Sequence, residues 1–254
     1  MSTGKGRLYL VPAPLDFGCE SQSSLQDVIP TGTLRVAARL SCWICENAKT
    51  TRAYLKRINE LHPLTTPVQA LHIQELPREV HKKGDHAGSF DARPLLAAAM
   101  EGQDMGLVSE AGMPAIADPG SSVVRAAHEL GLEVLPLTGP MSLMLALASS
   151  GLNGQNFAFV GYLPQDPPGR AQRIRELESL ALKTGQTQIF IETPYRNAAL
   201  LQGLLQTLQG NTRLALSCGI TLGGAVSRSA LAGQWKRDKP ALPLDLPTVF
   251  CIGR

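Results

Sequence analysis

The stretch Met105–Gly151, MGLVSEAGMPAIADPGSSVVRAAHELGLEVLPLTGPMSLMLALASSG, decides the predicted fold. Two short apolar runs within it, Met105–Val108 and Leu132–Leu137, predict buried strands because each run ends abruptly in residues typical of turns. A helix is predicted between them, so the stretch forms a strand–helix–strand unit. Such units have parallel strands and a right-handed crossover. The pattern therefore indicates an α/β fold with a parallel sheet.

The helix between these two strands carries its own start and stop signals. We expect Asp118 to be its N-cap and Pro119 to occupy its first position. Gly131 is expected to adopt the left-handed conformation that commonly follows a last helical turn. These residues bound the predicted helix at both ends.

Ligand sites in parallel sheets gather at the carboxyl ends of the strands. Here two of those ends are Ser109–Pro114 and Thr138–Ser142, and a first strand predicted at Arg7–Val11 leads into a third, Pro12–Pro14. Prolines and small residues make stiff loops whose backbone can approach a ligand closely. A tight turn before a helix is the alternative interpretation of the loop after Val108. Three such loops at one sheet edge favour a small-molecule site.

The rest of the first half is predicted from its apolar periodicity. Its elements are strands at Leu34–Cys45 and Leu71–Leu76, helices at Thr51–Leu61 and Pro94–Met100, a helical turn near Pro30 and a charged loop at Pro77–Gly88.

The pattern changes after Gly151. Strands are predicted at Asn156–Tyr162, Thr187–Ile191, Arg213–Cys218, Ala225–Leu231 and Thr248–Ile252, helices at Arg170–Leu182 and Ala198–Leu208, and a linker at Gln165–Gly169. Successive strands without helices between them favour antiparallel pairing. We therefore expect an N-terminal α/β domain at residues 1–138, a C-terminal α+β domain at residues 139–254, and a cleft between them.

The composition is that of an ordinary globular protein. The 254 residues are 44% hydrophobic and 18% charged, and the net charge of +3 permits a nucleic acid partner without arguing for one. The first ten residues contain no apolar signal core, and prolines interrupt the apolar window Leu132–Leu152, so neither secretion nor a membrane span is expected. The five cysteines lack regular spacing, which fits a cytoplasmic location.

Several kinds of chemistry lack the residues they need. Cys42 and Cys45 invite a zinc or redox interpretation, but there is no second CxxC, and residues three apart on a strand point to opposite faces. Buried thiols are therefore the favoured interpretation, and we predict no metal site. The sequence contains no Ser-His-Asp order, Walker loop or dinucleotide fingerprint.

Basic residues form three groups along the chain. Charge runs are usually solvated faces, but groups that share one face would make a phosphate-binding rim. The three groups are Arg52, Lys56 and Arg57; Arg78, Lys82 and Lys83; and Arg170, Arg173 and Arg175, the last on a helix predicted to bury Ile174, Leu177 and Leu180.

The loops at the strand ends also carry a family resemblance. SEAGMPAIADPG, residues 109–120, followed by LTGPMSLMLAL, residues 137–147, resembles the tetrapyrrole methylase superfamily. The nearest pattern is that of the ribosomal RNA small-subunit methyltransferase I group, SDAGTPxxSDPG followed by PGPSA. Glu46, Thr51 and Arg52 match a third motif of that group, EDTRHTR, and Glu192–Arg196 is similar to a fourth, ESPHR. Departures from the group's pattern occur at Asp16–Gly18, Asn47, Met113, Met141 and Ser217–Leu222.

The resemblance implies S-adenosylmethionine as cofactor, bound in the cleft by backbone groups and apolar side chains. The binding residues that it implies are Pro12, Glu110, Ala111, Gly112, Met113, Ile116, Met141, Ser142, Glu192, Thr193, Leu246, Pro247 and Thr248.

Methyl transfer from a sulfonium needs little acid–base help, because the leaving group is neutral and alignment of the acceptor supplies much of the catalysis. A ribose hydroxyl acceptor would benefit from a base. Glu46 and Glu192 are candidates for that base by motif position.

The resemblance leaves three functions open. The first is ribose 2′-O-methylation of ribosomal RNA by a cytoplasmic homodimer, with part of the interface at Leu200–Leu208. The second is methylation of a tetrapyrrole or another small molecule. The third is a sensor or assembly factor that binds the cofactor without catalysis, which the loss of polar residues at Met113 and Met141 motivates.

Overall fold

The computed structural model describes residues 4–77, 79–80, 90–238 and 240–254. The chain divides into two compact units. The first comprises the described parts of Met1–Gly18 and Ser23–Pro140, and the second those of Cys19–Gln22 and Met141–Arg254.

The first unit is organised around a parallel sheet. Its strands are β1 (Arg7–Leu10), β2 (Cys42–Cys45), β3 (His72–Glu75), β4 (Met105–Val108) and β5 (Glu133–Pro136). Among the described residues their order is β3-β2-β4-β1-β5, and every pairing is parallel. The predicted parallel strand–helix–strand unit is confirmed, with β1 lying between β4 and β5.

Helices cover both faces of this sheet. They are α1 (Leu25–Val28), α2 (Thr31–Arg39), α3 (Ala48–Leu61), α4 (Ala97–Met100) and α5 (Ser121–Glu129), with 3₁₀ turns at Val68–Ala70 and Arg93–Leu96. Successive side chains of β2 point to opposite faces of the sheet, so this strand contributes to the core on each face. Trp43 packs with Leu55 of α3, whereas Ile44 packs with Met105 and with Val123 of α5.

Gly106 is required at the centre of the sheet. It lies opposite Trp43 in the β2–β4 pairing, and a Cβ atom there would lie 2.6 Å from the Trp43 ring. A side chain at this position would therefore displace the largest residue of the core.

The predicted strand at Leu34–Cys45 is correct only at its end, since α2 occupies its beginning. Leu34, Ala37 and Ala38 are buried at intervals of three and four residues, which is the period of a helix. The period was masked because Leu34, Val36, Ala37 and Ala38 are followed closely by the apolar strand that contains Trp43 and Ile44, so the two elements read as one run.

The predicted cap of the next helix is also wrong. Helix α5 begins at Ser121 after Gly120, whose φ is 135°, so Asp118 and Pro119 lie outside it. Ala115 and Ala117, both with φ of 65°, hold the preceding residues in a series of bends. The prediction for Gly131 is confirmed, because its φ is 66°.

The second unit contains a mixed sheet. Its strands are β6 (Phe157–Tyr162), β7 (Thr187–Glu192), β8 (Arg213–Cys218), β9 (Val226–Leu231) and β10 (Thr248–Gly253). In the described chain their order is β6-β7-β10-β8-β9, with β6 parallel to β7 and the other pairs antiparallel. The predicted antiparallel pairing of the last strands is confirmed.

Helices lie on both faces of this second sheet. They are α6 (Ser142–Ser150), α7 (Pro167–Thr184), α8 (Asn197–Thr207) and α9 (Ala232–Asp238), with a 3₁₀ turn at Pro194–Arg196. Residues of α7, α8 and α9 pack around Phe190, Phe250 and Trp235, whereas α6 packs against Ile189 and Val249 on the other face.

Helix α7 is longer than predicted, because the expected linker at Gln165–Gly169 forms its first turn. Asp166 caps this turn by accepting a hydrogen bond from the backbone N–H of Gly169 at 2.7 Å. Ile174 and Leu177 are buried as predicted, but Leu180 is 43% exposed.

The leucines of α8 are used inside their own unit. Leu200, Leu204 and the adjoining Leu208 are buried in the core around Trp235. The predicted interface at Leu200–Leu208 stays a prediction, since Leu201 and Leu205 in the same range are only half-buried. Most of the predicted loop at Pro77–Gly88 lies outside the described residues.

Candidate functional site

The loops that follow β1, β4 and β5 contact one another at one edge of the first sheet. The backbone N–H of Ala13 donates to the carbonyl of Gly112 at 2.9 Å, and the N–H of Gly112 donates back at 3.0 Å. A Cβ atom on Gly139 would lie 2.2 Å from Cγ of Pro12, so only glycine permits this approach. The sheet thus brings together the strand-end loops that the sequence singled out.

Two helices anchor these loops through hydrogen bonds to carbonyl groups. The buried Tyr54 hydroxyl of α3 donates to the carbonyl of Pro12 at 2.8 Å. The Thr33 hydroxyl of α2 donates to the carbonyl of Thr138 at 2.7 Å. Neither residue was among the predicted site residues, because a lone tyrosine or threonine on a helix carries no sequence signal for a distant loop.

Three carboxylates lie close together where β2 and β4 end side by side. The N–H of Glu110 donates to the Glu46 carboxylate at 3.3 Å, and the Thr50 hydroxyl donates to the Glu110 carboxylate at the same distance. Burial, with the charges of Glu46 and Glu110, raises the pKa of Asp118 to about 7. Asp118, predicted as a helix cap, is therefore an electrostatic partner of two predicted site residues.

Asn47 holds the start of α3 beside these carboxylates. Its side-chain oxygen accepts hydrogen bonds from the N–H groups of Lys49 at 2.9 Å and Thr50 at 3.3 Å. The family pattern has an acid at this position, and asparagine supplies the same capping oxygen without a charge. This departure therefore preserves the geometry of the turn.

The other predicted residues of the β4 loop differ in exposure. Ala111 and Met113 are half-buried, whereas Ile116 is exposed. The neighbouring Ser109 is buried, and its hydroxyl has no hydrogen-bond partner among the described residues. A buried orphan hydroxyl carries a free-energy cost that a bound polar ligand would relieve.

In the second unit, Glu192 ends β7 as a buried, ion-paired residue. One of its carboxylate oxygens accepts from the N–H of Thr193 at 2.7 Å and from two nitrogens of Arg196 at 2.9 and 2.7 Å. The side chain is 3% exposed. Thr248 lies directly opposite Glu192 in the β7–β10 pairing, so these predicted residues are neighbours.

The predicted residues Leu246 and Pro247 belong to a loop that Asn197 holds. The buried Asn197 amide donates to the carbonyls of Leu244 at 2.9 Å and Leu246 at 3.0 Å, and the Gly219 N–H donates to the carbonyl of Pro247 at 2.8 Å. Sequence analysis missed Asn197, since an asparagine at a helix start is read as a cap.

Two further predicted residues stand at the start of α6. Met141 immediately precedes the helix, and Ser142 is its first residue.

The basic groups are partly engaged in ion pairs. Arg57 forms a bidentate pair with the buried Asp16 at 3.0 and 3.2 Å, so it is a structural residue of the first unit. Arg173 pairs with Glu176 at 3.2 Å on the surface of α7. The second basic group, which consists of Arg78, Lys82 and Lys83, lies outside the described residues.

The CxxC cysteines point to different cores. Cys42 packs in the core around Met105 and Cys45 in the core around Trp43, as strand alternation predicts. Burial raises the pKa of the Cys45 thiol to about 11, which keeps it protonated at neutral pH. Over the described ranges, no three His, Cys, Asp or Glu side chains form a group suited to a metal ion.

In the part of the chain that the structure covers, the search for a helix with the length and apolarity of a membrane span finds none.

Relatives of known name match most of the chain. A ribosomal RNA small subunit methyltransferase I of Vibrio cholerae is 31% identical over 84% of this chain, and that of Escherichia coli O157:H7 is 30% identical over 85%. A Synechocystis protein of the same name is 35% identical over 82% of this chain. The chain spans about two thirds or slightly less of these relatives' own lengths, namely 65%, 66% and 64%.

The fold and the sequence point to one family. The crystal structure of uroporphyrin-III-C-methyltransferase from Thermus thermophilus shares the fold with a TM-score of 0.53 at 17% identity, covering 98% of this chain and 94% of that chain. The family model for Tetrapyrrole (Corrin/Porphyrin) Methylases matches residues 31–222. The chain therefore belongs to the tetrapyrrole methylase family.

Proposed function

We propose that the chain is an S-adenosylmethionine-dependent methyltransferase that methylates a ribose hydroxyl of small-subunit ribosomal RNA. The observation that carries this proposal is the main-chain contact between the β1 and β4 loops at Ala13 and Gly112, beside the carboxylates of the same edge. The names of the relatives support RNA as the acceptor.

The residues of this edge fit the proposed cofactor. Glu110 supplies a carboxylate for a ribose hydroxyl or an ammonium group, and Ser109 supplies a buried hydroxyl that lacks a partner. We propose that the cofactor-binding residues are those that the family resemblance implies: Pro12, Glu110, Ala111, Gly112, Met113, Ile116, Met141, Ser142, Glu192, Thr193, Leu246, Pro247 and Thr248.

When bound, the sulfonium supplies an electrophilic methyl group and leaves as a neutral thioether. The hydroxyl that accepts the methyl group loses its proton, and a carboxylate whose pKa lies near neutral pH is matched to receive it. Asp118 has that property, because burial and the charges of Glu46 and Glu110 raise its pKa to about 7. We therefore assign proton acceptance to Asp118, with Glu46 as the residue that tunes it.

Glu192 is less suited to act as a base. Its carboxylate is already engaged by the guanidinium of Arg196 and by the backbone N–H of Thr193. We assign it a structural role at the end of β7.

The test measures binding and transfer separately. Calorimetry with S-adenosylhomocysteine reports cofactor binding, and transfer of a labelled methyl group to small ribosomal subunits reports activity. Glu110→Gln is expected to weaken cofactor binding about tenfold, because it removes a charge-assisted hydrogen bond. Asp118→Asn is expected to lower the transfer rate by about 100-fold or more while binding persists.

Glu129→Gln is the matched control, because Glu129 is an exposed carboxylate in α5 of the same unit. It should leave both measurements unchanged. Cofactor binding without transfer to RNA would contradict the proposed acceptor, and transfer to a tetrapyrrole instead would replace it. No binding of S-adenosylhomocysteine would contradict the proposal as a whole.

We also propose a homodimer in the cytoplasm. Among the described residues the cysteines form no disulfide, which suits a reducing compartment. Leu201 and Leu205 of α8 are only half-buried within the unit, so the predicted interface at Leu200–Leu208 remains part of this proposal. Sedimentation equilibrium of the full chain tests the proposal, and a monomer at micromolar concentration would contradict it.

A further inference from the structure

The second unit exposes two tyrosines at one edge of its sheet. Strands β6 and β7 are parallel, so Tyr162, which ends β6, and the turn after β7 lie at the same edge. Tyr195 lies in that turn and is 80% exposed, while Tyr162 is 57% exposed. Two large aromatic rings exposed at the same edge form a surface that a partner can contact.

A bulge places Tyr162 on this surface. The β6–β7 register shifts between Phe159 and Tyr162, and Gly161 within the shift has a φ of 73°. Val160 packs in the core around Trp235, and regular alternation would put Tyr162 on the same face. The extra residue instead brings Tyr162 opposite Ile191, a residue of the other face.

The guanidinium of Arg196 packs against one face of the Tyr195 ring. Its guanidinium lies 5.1 Å from the centroid of the Tyr195 ring and is held by Glu192 at 2.7 Å. The Arg196 N–H also donates to the carbonyl of Thr193 at 2.9 Å, which closes the 3₁₀ turn that begins at Pro194. The hydrogen bond that Arg196 donates to Glu192 raises the pKa of Arg196, and the nearby phenols of Tyr195 and Tyr162 act in the same direction.

We propose that Tyr195, backed by Arg196, forms with Tyr162 a stacking platform for an unpaired base of RNA. This inference rests on the proposed function, because it names a contact of the RNA acceptor outside the methyl-transfer chemistry. Unpaired bases stack on tyrosine rings and guanidinium planes in single-stranded RNA recognition. The ion pair neutralises Arg196, so the platform offers a planar face more than a charge for phosphate.

The turn is suited to this task because it is already ordered. Proline at its start and the Glu192 clamp limit the conformations of the Tyr195 backbone and of the guanidinium behind its ring. A base that stacks on the ring therefore costs little additional ordering. Tyr195 and Tyr162 are substrate-positioning residues in this proposal, and neither is assigned a role in proton transfer.

The test measures RNA binding without catalysis. The full chain, saturated with S-adenosylhomocysteine, is titrated into a fluorescein-labelled twelve-nucleotide single-stranded RNA and into a duplex of equal length, with anisotropy as the readout. Tyr195→Ala is expected to weaken single-strand binding about tenfold, and Tyr195→Phe to keep it within about twofold, because stacking needs the ring and not the hydroxyl. Tyr162→Ala is expected to weaken it by a smaller factor.

Phe157→Ala is the matched control. Phe157 is 39% exposed on the same strand but begins β6, at the opposite edge of the sheet, so its removal should leave binding unchanged. The loss in Tyr195→Ala should persist when salt is raised, unlike the loss of a phosphate contact. The duplex should show little difference between variants, since its bases are already stacked.

The outcomes distinguish a failure of the platform from a failure of the proposed function. If Tyr195→Ala and Tyr162→Ala both bind the single strand as tightly as the parent chain while RNA methylation continues, the platform is wrong and the function stands. If the parent chain transfers no methyl group to RNA, the proposed function fails whatever the variants do. Loss of porphyrin binding in Tyr195→Ala, with RNA binding intact, would overturn the platform in favour of a planar small molecule.

Discussion

Glu110 and Glu192 are both glutamates at the carboxyl end of a strand with a parallel neighbour, yet their surroundings differ in kind. Glu110 lies near Glu46 and Asp118, and the negative charges of the two glutamates help burial to raise the pKa of Asp118 to about 7. Glu192 is buried against Arg196. The position of a carboxylate at a strand end therefore does not decide its role. The neighbouring side chains decide whether it joins an acidic cluster or holds a turn together.

The largest expected effect concerns the ion pair between Glu192 and Arg196 in the second unit. Glu192→Ala should lower the free energy of unfolding of the second unit by about 3 kcal/mol, because it leaves Arg196 and the Thr193 N–H without their acceptor. Each unit contains one of the two tryptophans. In a Trp43→Phe background, the fluorescence of Trp235 therefore reports the urea unfolding of the second unit.

The control for this prediction is an ion pair that is exposed. Glu176→Ala breaks the surface pair with Arg173 and should cost about 0.5 kcal/mol or less. Equal losses in the two variants would show that the Glu192 pair contributes no more than a surface contact.

The second effect depends on pH and concerns Asp118, which lies near Glu46 and Glu110 in the first unit. The raised pKa of Asp118, about 7, means that the folded chain holds a proton which the unfolded chain releases near pH 4. Stability is therefore lost as pH rises from 4 through 7. Asp118→Asn carries no charge, so it should be more stable than the parent chain at pH 8 and almost equal to it at pH 4. The expected gain at pH 8 is about 2 kcal/mol, half of the roughly 4 kcal/mol that a rise in pKa from about 4 to about 7 implies, because Asp118 is only half-buried.

Urea unfolding across this pH range, followed through Trp43 with Trp235→Phe as background, measures the effect in the first unit. Glu129→Asn is the control, because Glu129 is exposed in α5 of that unit. A stability difference for Asp118→Asn that stays constant from pH 4 to 8 would contradict the assigned environment of Asp118.

The smallest effect tests the asparagine that replaces an acid of the family pattern. Asn47→Ala removes the cap of α3 and should cost about 1 kcal/mol. Asn47→Asp restores a capping oxygen and should retain most of the stability in the same tryptophan assay. Equal losses in both variants would mean that the cap contributes little here, or that a fourth carboxylate at this edge costs as much as the cap supplies.

Sequence analysis succeeded where a single local rule decides the structure. The strands at Met105–Val108 and Arg213–Cys218 have the predicted bounds because each is a mainly apolar run between polar or turn residues. Gly131 behaves as predicted because a left-handed residue after a helix favours glycine. The rule fails at Leu34, where a short helix is followed so closely by a strand that the two read as one apolar segment.

The site was less predictable because it depends on which strands are neighbours. Glu46 meets Glu110 because β2 lies beside β4, and one sequence does not state that order. Asp118 joins them because Ala115 and Ala117 adopt left-handed conformations that alanine rarely takes. Such a conformation is fixed by packing of the whole loop and leaves no mark in the residue types.

The exchange of hydrogen bonds between Ala13 and Gly112 has an evolutionary consequence. The two loops are fastened through their main chains, so the side chains beside the fastening are free to change identity without undoing it. The neighbouring Met113 differs from the family pattern while this fastening is in place. A lineage can therefore change the side chains along these loops one residue at a time and keep the scaffold that presents them.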